Sequence, residues 1–278
     1  MQDNQQKDLT HTSLIAEAAS SRFLVNKWKS GQLSQLEDVV AEEVPVALIY
    51  NGISHAVMLA TPRDLEDFAL GFSLAEGILS QPKELYSIDV VNRSNGIELR
   101  MEIATERFHQ LKEKRRSMTG RTGCGLCGAE SLAQALRLPD PVIQAQQAFS
   151  LAAILKALAE APKKQPLQAE TGATHASFWV SPEGDIEMAR EDVGRHNALD
   201  KLLGAKAKAD NKSGFVLTTS RASYEMVQKS AVAGVAMLVA ISAPTGLAIR
   251  MAERCGIALV GFARPEQYVV YTHPQRIK

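Results

Sequence analysis

Cys124 and Cys127 stand two residues apart in GRTGCGLCG, residues 120 to 128, among four glycines. A pair so spaced serves zinc binding, dithiol–disulfide exchange or nucleophilic sulfur transfer. A structural zinc site needs four ligands, and the third cysteine, Cys255, lies far off in AERCGIAL, where a free cysteine in an amphipathic helix reads as core. Thioredoxin-like exchange expects a strand, the cysteine pair and a long helix in one βαβ unit. Here a cationic segment containing Lys112, Lys114, Arg115, Arg116 and Arg121 precedes the pair. Sulfur transfer fits that setting: the cations and the start of the next helix, AESLAQALRL, favour thiolate over thiol, and glycine permits close approach. The basic run KEKRR is equally readable as a solvated face or as a surface for an anionic partner.

A second group of residues lies at the ends of apolar runs. Ser220-Arg221 follow FVLTT, Ser242 to Thr245 follow MLVAI, and Arg264 follows ALVGFA. In open α/β sheets ligands bind beyond the carboxyl ends of strands, where helix N-termini offer amides to phosphates. His196, in EDVGRHNALD, follows Glu191 and Asp192 and serves as base, ligand anchor or structural hydrogen-bonding group. Ser242 alone reads as a helix cap, His175 and His273 as polar edge groups, and Trp179 as core.

The elements that must position these residues fall into two patterns. VPVALIY and ISHAVMLA flank Asn51-Gly52, a two-residue hairpin signal, and IDVVNR and IELRMEI flank Asn95-Gly96. Between them TPRDLEDFALGFSLAEG reads as a helix capped by Thr61, with Asp64 completing the cap. The sum is a small α+β layer of ββαββ order. After about residue 140, SLAAILKALAEAP, THASFWV, IEMAREDV, RHNALDKLLG, FVLTTS, ASYEMVQKSAVAG, AMLVAIS, TGLAIRMAERCG, ALVGFA and YVVYT alternate helices with apolar runs, predicting a largely parallel sheet covered on both faces. The expected division is a flexible arm over 1–36, a small α+β domain over 37–140 carrying a mobile cysteine loop at 104–128, and an α/β domain over 141–278.

Of 278 residues, Lys plus Arg and Asp plus Glu number 31 each, so global charge gives no support to nucleic-acid or membrane partners. The polar start MQDNQQKDLTHTS and the lack of a long apolar run predict neither a signal peptide nor a spanning segment, which makes the cytoplasm the expected compartment.

GRTGCGLCG, TGATHA, EDVGRHNALDKLLG, TTSRASYEMVQKSA and VGFARPEQYVVYTHPQR together resemble the formate dehydrogenase accessory sulfurtransferases, also called formate dehydrogenase sulfur carrier proteins, over about residues 40 to 278. The resemblance implies a sulfurtransferase that takes persulfide sulfur from a cysteine desulfurase. It then passes the sulfur to the molybdenum bis(molybdopterin guanine dinucleotide) cofactor, its bound substrate, before that cofactor enters formate dehydrogenase. It further implies a cytidine deaminase-like αβα C-terminal domain and a homodimer. Cys124 corresponds to the persulfide-bearing residue and Cys127 to its partner. Phe262, Ala263, Arg264, Pro265, Glu266 and Gln267 correspond to the cofactor-binding turn; Ser220 and Arg221, read from a strand end, and His196, read from a helix start, are the further candidate contacts. Some members carry a glycine and a basic residue where this chain has Glu266 and Gln267, which makes Arg264 the main phosphate contact expected of the turn. GDP is the expected mimic of the cofactor's nucleotide half.

A zinc deaminase needs His-x-Glu at one helix start and Pro-Cys-x-x-Cys at the next. This chain reads Arg195-His196-Asn197-Ala198 and Ser220-Arg221-Ala222-Ser223 there, so no metal site is expected. The alternatives are a molybdenum-cofactor-binding chaperone that carries no sulfur, and a zinc-stabilised interaction protein. Purified protein is expected to hold no stoichiometric zinc; elemental analysis finding one zinc per chain, lost in Cys127→Ala, would establish the last of these instead.

Overall fold

The structure, a computed structural model, describes residues 18–116, 139, 142, 147–209 and 213–278. Cys124, Cys127, the helix expected at 129–138 and most of the LPDPV linker lie outside the described residues.

The chain enters through β1 (Ser20–Lys29) and β2 (Gln32–Ala41), an antiparallel hairpin turning at Ser30-Gly31 with φ of 51° and 82°. The loose arm expected up to residue 36 is thus corrected from residue 20 onward. Two consecutive positive φ values match the right-handed twist of a tight hairpin, which Gly31 makes accessible.

β3 (Val44–Tyr50), β4 (Ile53–Ala60), β5 (Leu85–Arg93) and β6 (Gly96–Ile103) form a sheet of order β4-β3-β6-β5. Two antiparallel hairpins meet through the parallel pair β3 and β6. Strand alternation buries Val44, Val46, Leu48 and Tyr50 with Ile97, Leu99, Met101 and Ile103 on one face, and α1 (Leu65–Ala75) covers it with Phe68, Ala69 and Phe72. The first hairpin turns at Asn51-Gly52 as expected. The second turns one residue earlier than expected, at Ser94-Asn95, and Gly96 opens β6 where a Cβ would overlap the Pro45 carbonyl.

Two further expectations are corrected here. Thr61 does not cap α1: its amide donates to Asp192 Oδ2 at 3.0 Å and its hydroxyl accepts from the Val193 amide at 3.2 Å, so the helix begins only at Leu65. Residues 105–116, expected within the mobile loop, form α2 (Thr105–Arg116), anchored by buried Leu111 in the core under α1.

The second sheet has order β12-β11-β10-β9-β7-β8. Its strands are β7 (His175–Val180), β8 (Ile186–Asp192), β9 (Phe215–Thr218), β10 (Met237–Ala240), β11 (Ala258–Arg264) and β12 (Gln267–Thr272). The helices are α3 (Leu151–Glu160), α4 (Pro166–Thr171), α5 (Arg195–Lys208), α6 (Tyr224–Val232) and α7 (Gly246–Cys255). Only β9, β10 and β11 are mutually parallel; β7, β8 and β12 pair antiparallel, so the largely parallel sheet expected is a mixed one. Apolar runs report burial but not strand direction, and β7 and β12 are joined to their neighbours by short turns that reverse the chain. Cys255 is buried in α7 against Met251, and burial pushes its thiol up.

The two sheets meet through helices α1 and α5, which cross in backbone contact. A Cβ at Gly71 would overlap the Asp200 carbonyl, and one at Gly204 would overlap the Asp67 carbonyl. Ion pairs surround the crossing. Lys229 Nζ lies 2.9 Å from Glu76 Oε1 and 3.0 Å from Asp200, Lys201 Nζ lies 2.7 Å from Asp192 Oδ2, and Asp67 accepts from Arg190 and Lys208. Burial lifts the Asp200 carboxyl from 3.8 to about 6 despite Lys229. Burial opposes the Lys229 charge, yet Asp200 and Glu76 together hold its ammonium above its ordinary range.

Gly71→Ala is expected to destabilise the fold by about 3 kcal/mol, the upper end of overpacking costs, because backbone rather than a movable side chain stands in the way. An unchanged denaturant midpoint would contradict the contact. Lys229→Met should cost about 3–5 kcal/mol by leaving Asp200 buried and unpaired. The sign with pH follows from Asp200: a carboxyl whose folded pKa is raised opposes folding as it ionises, so stability falls as pH rises through that value. Losing Lys229 raises it further, so chemical denaturation should show a larger deficit at pH 8 than at pH 5.

Candidate functional site

The strand directions bring one set of residues to one sheet edge. β9, β10 and β11 end there, the antiparallel β7 and β12 begin there, and β8 ends there before α5. Along that edge lie His175, Arg195-His196, Ser220-Arg221, Ser242 and the turn 262–267.

At one end, β11 and β12 join through Pro265-Glu266, with Arg264 paired to Gln267. Phe262 adopts φ 50°, a left-handed conformation uncommon for a residue with a bulky side chain, and the residue is 43% exposed. The bulge that creates it is held by the Phe262 amide donating to Ser242 O at 3.1 Å and by Gly261, where a Cβ would stand 2.7 Å from Pro244. Arg264 donates through Nη1 to Ile241 O at 2.6 Å and to Ala263 O at 3.1 Å. These carbonyls brace the guanidinium over an open recess of about 300 Å³ lined by Arg264, Pro265, Glu266 and Gln267. Ala263 is buried and faces the core, away from that recess.

In the middle, Ser220 is buried: its hydroxyl donates to Arg221 O at 2.9 Å and sits 3.2 Å from Thr218 Oγ1. It shapes the loop after β9, while the exposed Arg221 points outward from it. That loop is tied to the one after β10 by a bridge between Ala222 and Pro244.

His196 occupies the first turn of α5. Its Nε2 lies 2.6 Å from Glu225 Oε2 and 3.4 Å from Ser223 Oγ, which caps α6. The hydrogen bond from His196 holds the Glu225 carboxyl below the ordinary carboxylate range, against the opposing effect of burial. Serine and carboxylate approach the same ring nitrogen. A nucleophile-activating triad needs them on opposite nitrogens, so this group orders two helix starts and does not activate Ser223. The neighbours of His196 in sequence are committed elsewhere: Asp192 to Lys201 and Thr61, and Glu191 to the amides of Leu167 and Gln168 at 3.0 and 2.7 Å.

Sequence reasoning passed over Arg195. Its Nε is buried and has no hydrogen-bond partner. The signal in the sequence was a basic residue opening a helix after glycine, masked by the two acidic residues just before it. Among the described residues no three metal-ligating side chains converge, and no described helix is long and apolar enough to cross a membrane.

A mixed α/β fold with a braced cationic edge on its second sheet defines the class of protein. Residues 41–278 match the FdhD/NarQ family, and the chain belongs to that family. It is 56% identical over 260 residues to the sulfur carrier protein FdhD of Cupriavidus necator, an alignment covering 93% of this chain and 90% of that protein. It is also similar to the crystal structure of a formate dehydrogenase accessory protein from Desulfotalea psychrophila. The TM-score there is 0.71 at 25% identity, covering 94% of this chain and 100% of that one.

Proposed function

We propose that this chain is a sulfur carrier for formate dehydrogenase maturation. It accepts persulfide sulfur from a cysteine desulfurase on Cys124 and delivers it to the molybdenum bis(molybdopterin guanine dinucleotide) cofactor held at the edge of the second sheet. The observation that carries this reading is one chain of the FdhD/NarQ family combining a glycine-flanked cysteine pair with a sheet edge that presents Arg264, Arg221 and an exposed Phe262. The first group suits sulfur exchange and the second suits a nucleotide: cations and amides for phosphates, an aromatic ring for a flat heterocycle.

The chemistry balances through the two thiols. The Cys124 thiolate attacks the outer sulfur of the desulfurase persulfide, forming a persulfide on Cys124 and releasing the desulfurase thiolate. Attack of the Cys127 thiolate on the inner sulfur of that persulfide forms the Cys124–Cys127 disulfide and frees hydrosulfide for the cofactor. The two electrons come from the thiol pair, and a cellular dithiol restores it. Phe262 and Arg264 orient the dinucleotide, His196 and Glu225 hold the start of α5, and Ser220 shapes the loop bearing Arg221.

The finer architecture belongs to the same reading. Residues 37–140 and 141–278 are the two units, the latter cytidine deaminase-like. The 3.4 Å approach of His196 to Ser223 supports this, since it brings together the two helix starts that carry the metal ligands in zinc deaminases. With no His-x-Glu or Pro-Cys-x-x-Cys at those starts, the fold serves binding, without deamination. A cytoplasmic homodimer completes the proposal.

The test is mass spectrometry of the protein after incubation with a cysteine desulfurase and cysteine. A peptide containing Cys124 should gain one sulfur atom, and Cys124→Ala should lose both that gain and formate dehydrogenase activation. Full activation by Cys124→Ala would overturn the carrier function. Retained GDP binding without any sulfur loading would leave a cofactor-binding chaperone.

A further inference from the structure

We infer that Arg195 and His175 form a phosphate-binding subsite at the far end of the same sheet edge, opposite Arg264. This inference rests on the reading of that edge as a nucleotide site, and it assigns the polyphosphate end of the ligand to residues outside the turn 262–267.

The first support is charge accounting around Arg195. Three carboxylates lie near it in the chain or across the α5–α6 gap, and each is engaged. Asp192 takes Lys201 at 2.7 Å, the Gly194 amide at 2.7 Å and the Thr61 amide at 3.0 Å. Glu191 takes two backbone amides and the Thr174 hydroxyl. Glu225 takes His196 at 2.6 Å, and Arg195 acts on it only as the last and smallest of the surrounding charges, without an ion-pair contact. Among the described residues Arg195 makes no ion pair, and its Nε is buried without an acceptor. A desolvated guanidinium donor lacking an acceptor carries a real cost, which a bound anion removes.

The second support is convergence. His175 opens β7, half-buried, and pairs in register with Asp192, three residues before Arg195; burial first, and then the charge of Arg195, disfavour its imidazolium, against Asp192. Arg195 and His175 therefore share one locality, supplied by two elements. Gly194 contributes no side-chain cap to α5, so no side chain competes with a ligand for the first-turn amides.

The third support is rigidity. Asn197 donates to Leu59 O at 2.8 Å and Lys201 to Thr61 O at 2.9 Å, so the start of α5 is pinned to the end of β4. A pre-ordered site loses little entropy on binding. Strand order places β7 three spacings from β11, roughly 14 Å at about 4.8 Å per strand. That span, from Phe262 on β11 to His175 at the start of β7, suits a nucleoside diphosphate with its base near Phe262 and its terminal phosphate near His175, whose register partner Asp192 leads into the start of α5.

Calorimetry on the intact protein with GDP, guanosine and inorganic pyrophosphate tests this in wild type, Arg195→Gln, His175→Gln and Arg264→Ala. Arg195→Gln should weaken GDP binding by about 10-fold to 100-fold, the loss of a charged hydrogen bond. It should also abolish pyrophosphate binding and leave guanosine unchanged, whereas Arg264→Ala should weaken GDP while retaining pyrophosphate. GDP and pyrophosphate binding equal to wild type in Arg195→Gln would overturn the subsite and leave the nucleotide reading intact. Wild type that binds pyrophosphate through Arg195 but no GDP would overturn the nucleotide reading and keep an anion site; wild type that binds neither overturns both. A thermal melt checks folding, and if Arg195→Gln is unfolded, His175→Gln is judged by the same criteria.

Discussion

The backbone contact between α1 and α5 is the constraint on which the rest of the molecule depends. Two helices approach this closely only where side chains are missing on both sides, and Gly71 and Gly204 supply that reciprocally, each lying against the carbonyl that precedes the other glycine by one helical turn. The intimate crossing fixes the axis of α5. Its first turn, with Arg195 and His196, is therefore delivered to one point on the edge of the second sheet.

The charged groups around the crossing specify that geometry more than they stabilise it. Lys201 and Asp192 are fully buried, and burial lowers the Lys201 ammonium pKa against the pull of Asp192. Pairs of this kind gain little over well-packed apolar residues, but a shifted register would leave each charge unpaired at several kcal/mol. Thr61 shows the same logic with neutral groups: its amide, hydroxyl and carbonyl all bond to residues 192 to 201. The first sheet is thus a brace for the second, set against the helix that begins at the site.

At the other end of the edge the bracing is local. Phe262 is held in a left-handed conformation by Ser242 and by the close seat of Gly261 under Pro244, which turns its ring outward. A residue in such a conformation stores of order 1–3 kcal/mol and persists because its surroundings over-determine it. The edge therefore carries two anchored ends, with the exposed Arg221 between them.

Local physics decided much of what the sequence alone conveyed. The period of 2 in VPVALIY, the positive φ available to Asn51-Gly52, the helix in SLAAILKALAEAP and the apolar stripe burying Cys255 each depend on residues within one or two turns of chain, and the structure agrees with all four. The cysteine pair and the strand-end cations Arg221 and Arg264 were also visible as chemistry, because reactive types in unusual settings stand out without coordinates, whereas the rest of the 262–267 turn was legible only through the family resemblance. The helix at 105–116 was hidden by its basic composition, and the hairpin at 20–41 by polar residues without a sustained alternation. Strand direction, the role of Thr61 and the meaning of DFALG and DKLLG needed the tertiary structure. Thr61 and Asp192 are 131 residues apart, and nothing near either one names the other. Arg195 is the sharpest case: in sequence it follows Glu191 and Asp192 and draws no notice, whereas the fold gives those carboxylates to partners from α4, from Thr61 just after β4, and from α5. Which charge is left over depends on long-range pairing, and only the packed chain determines that.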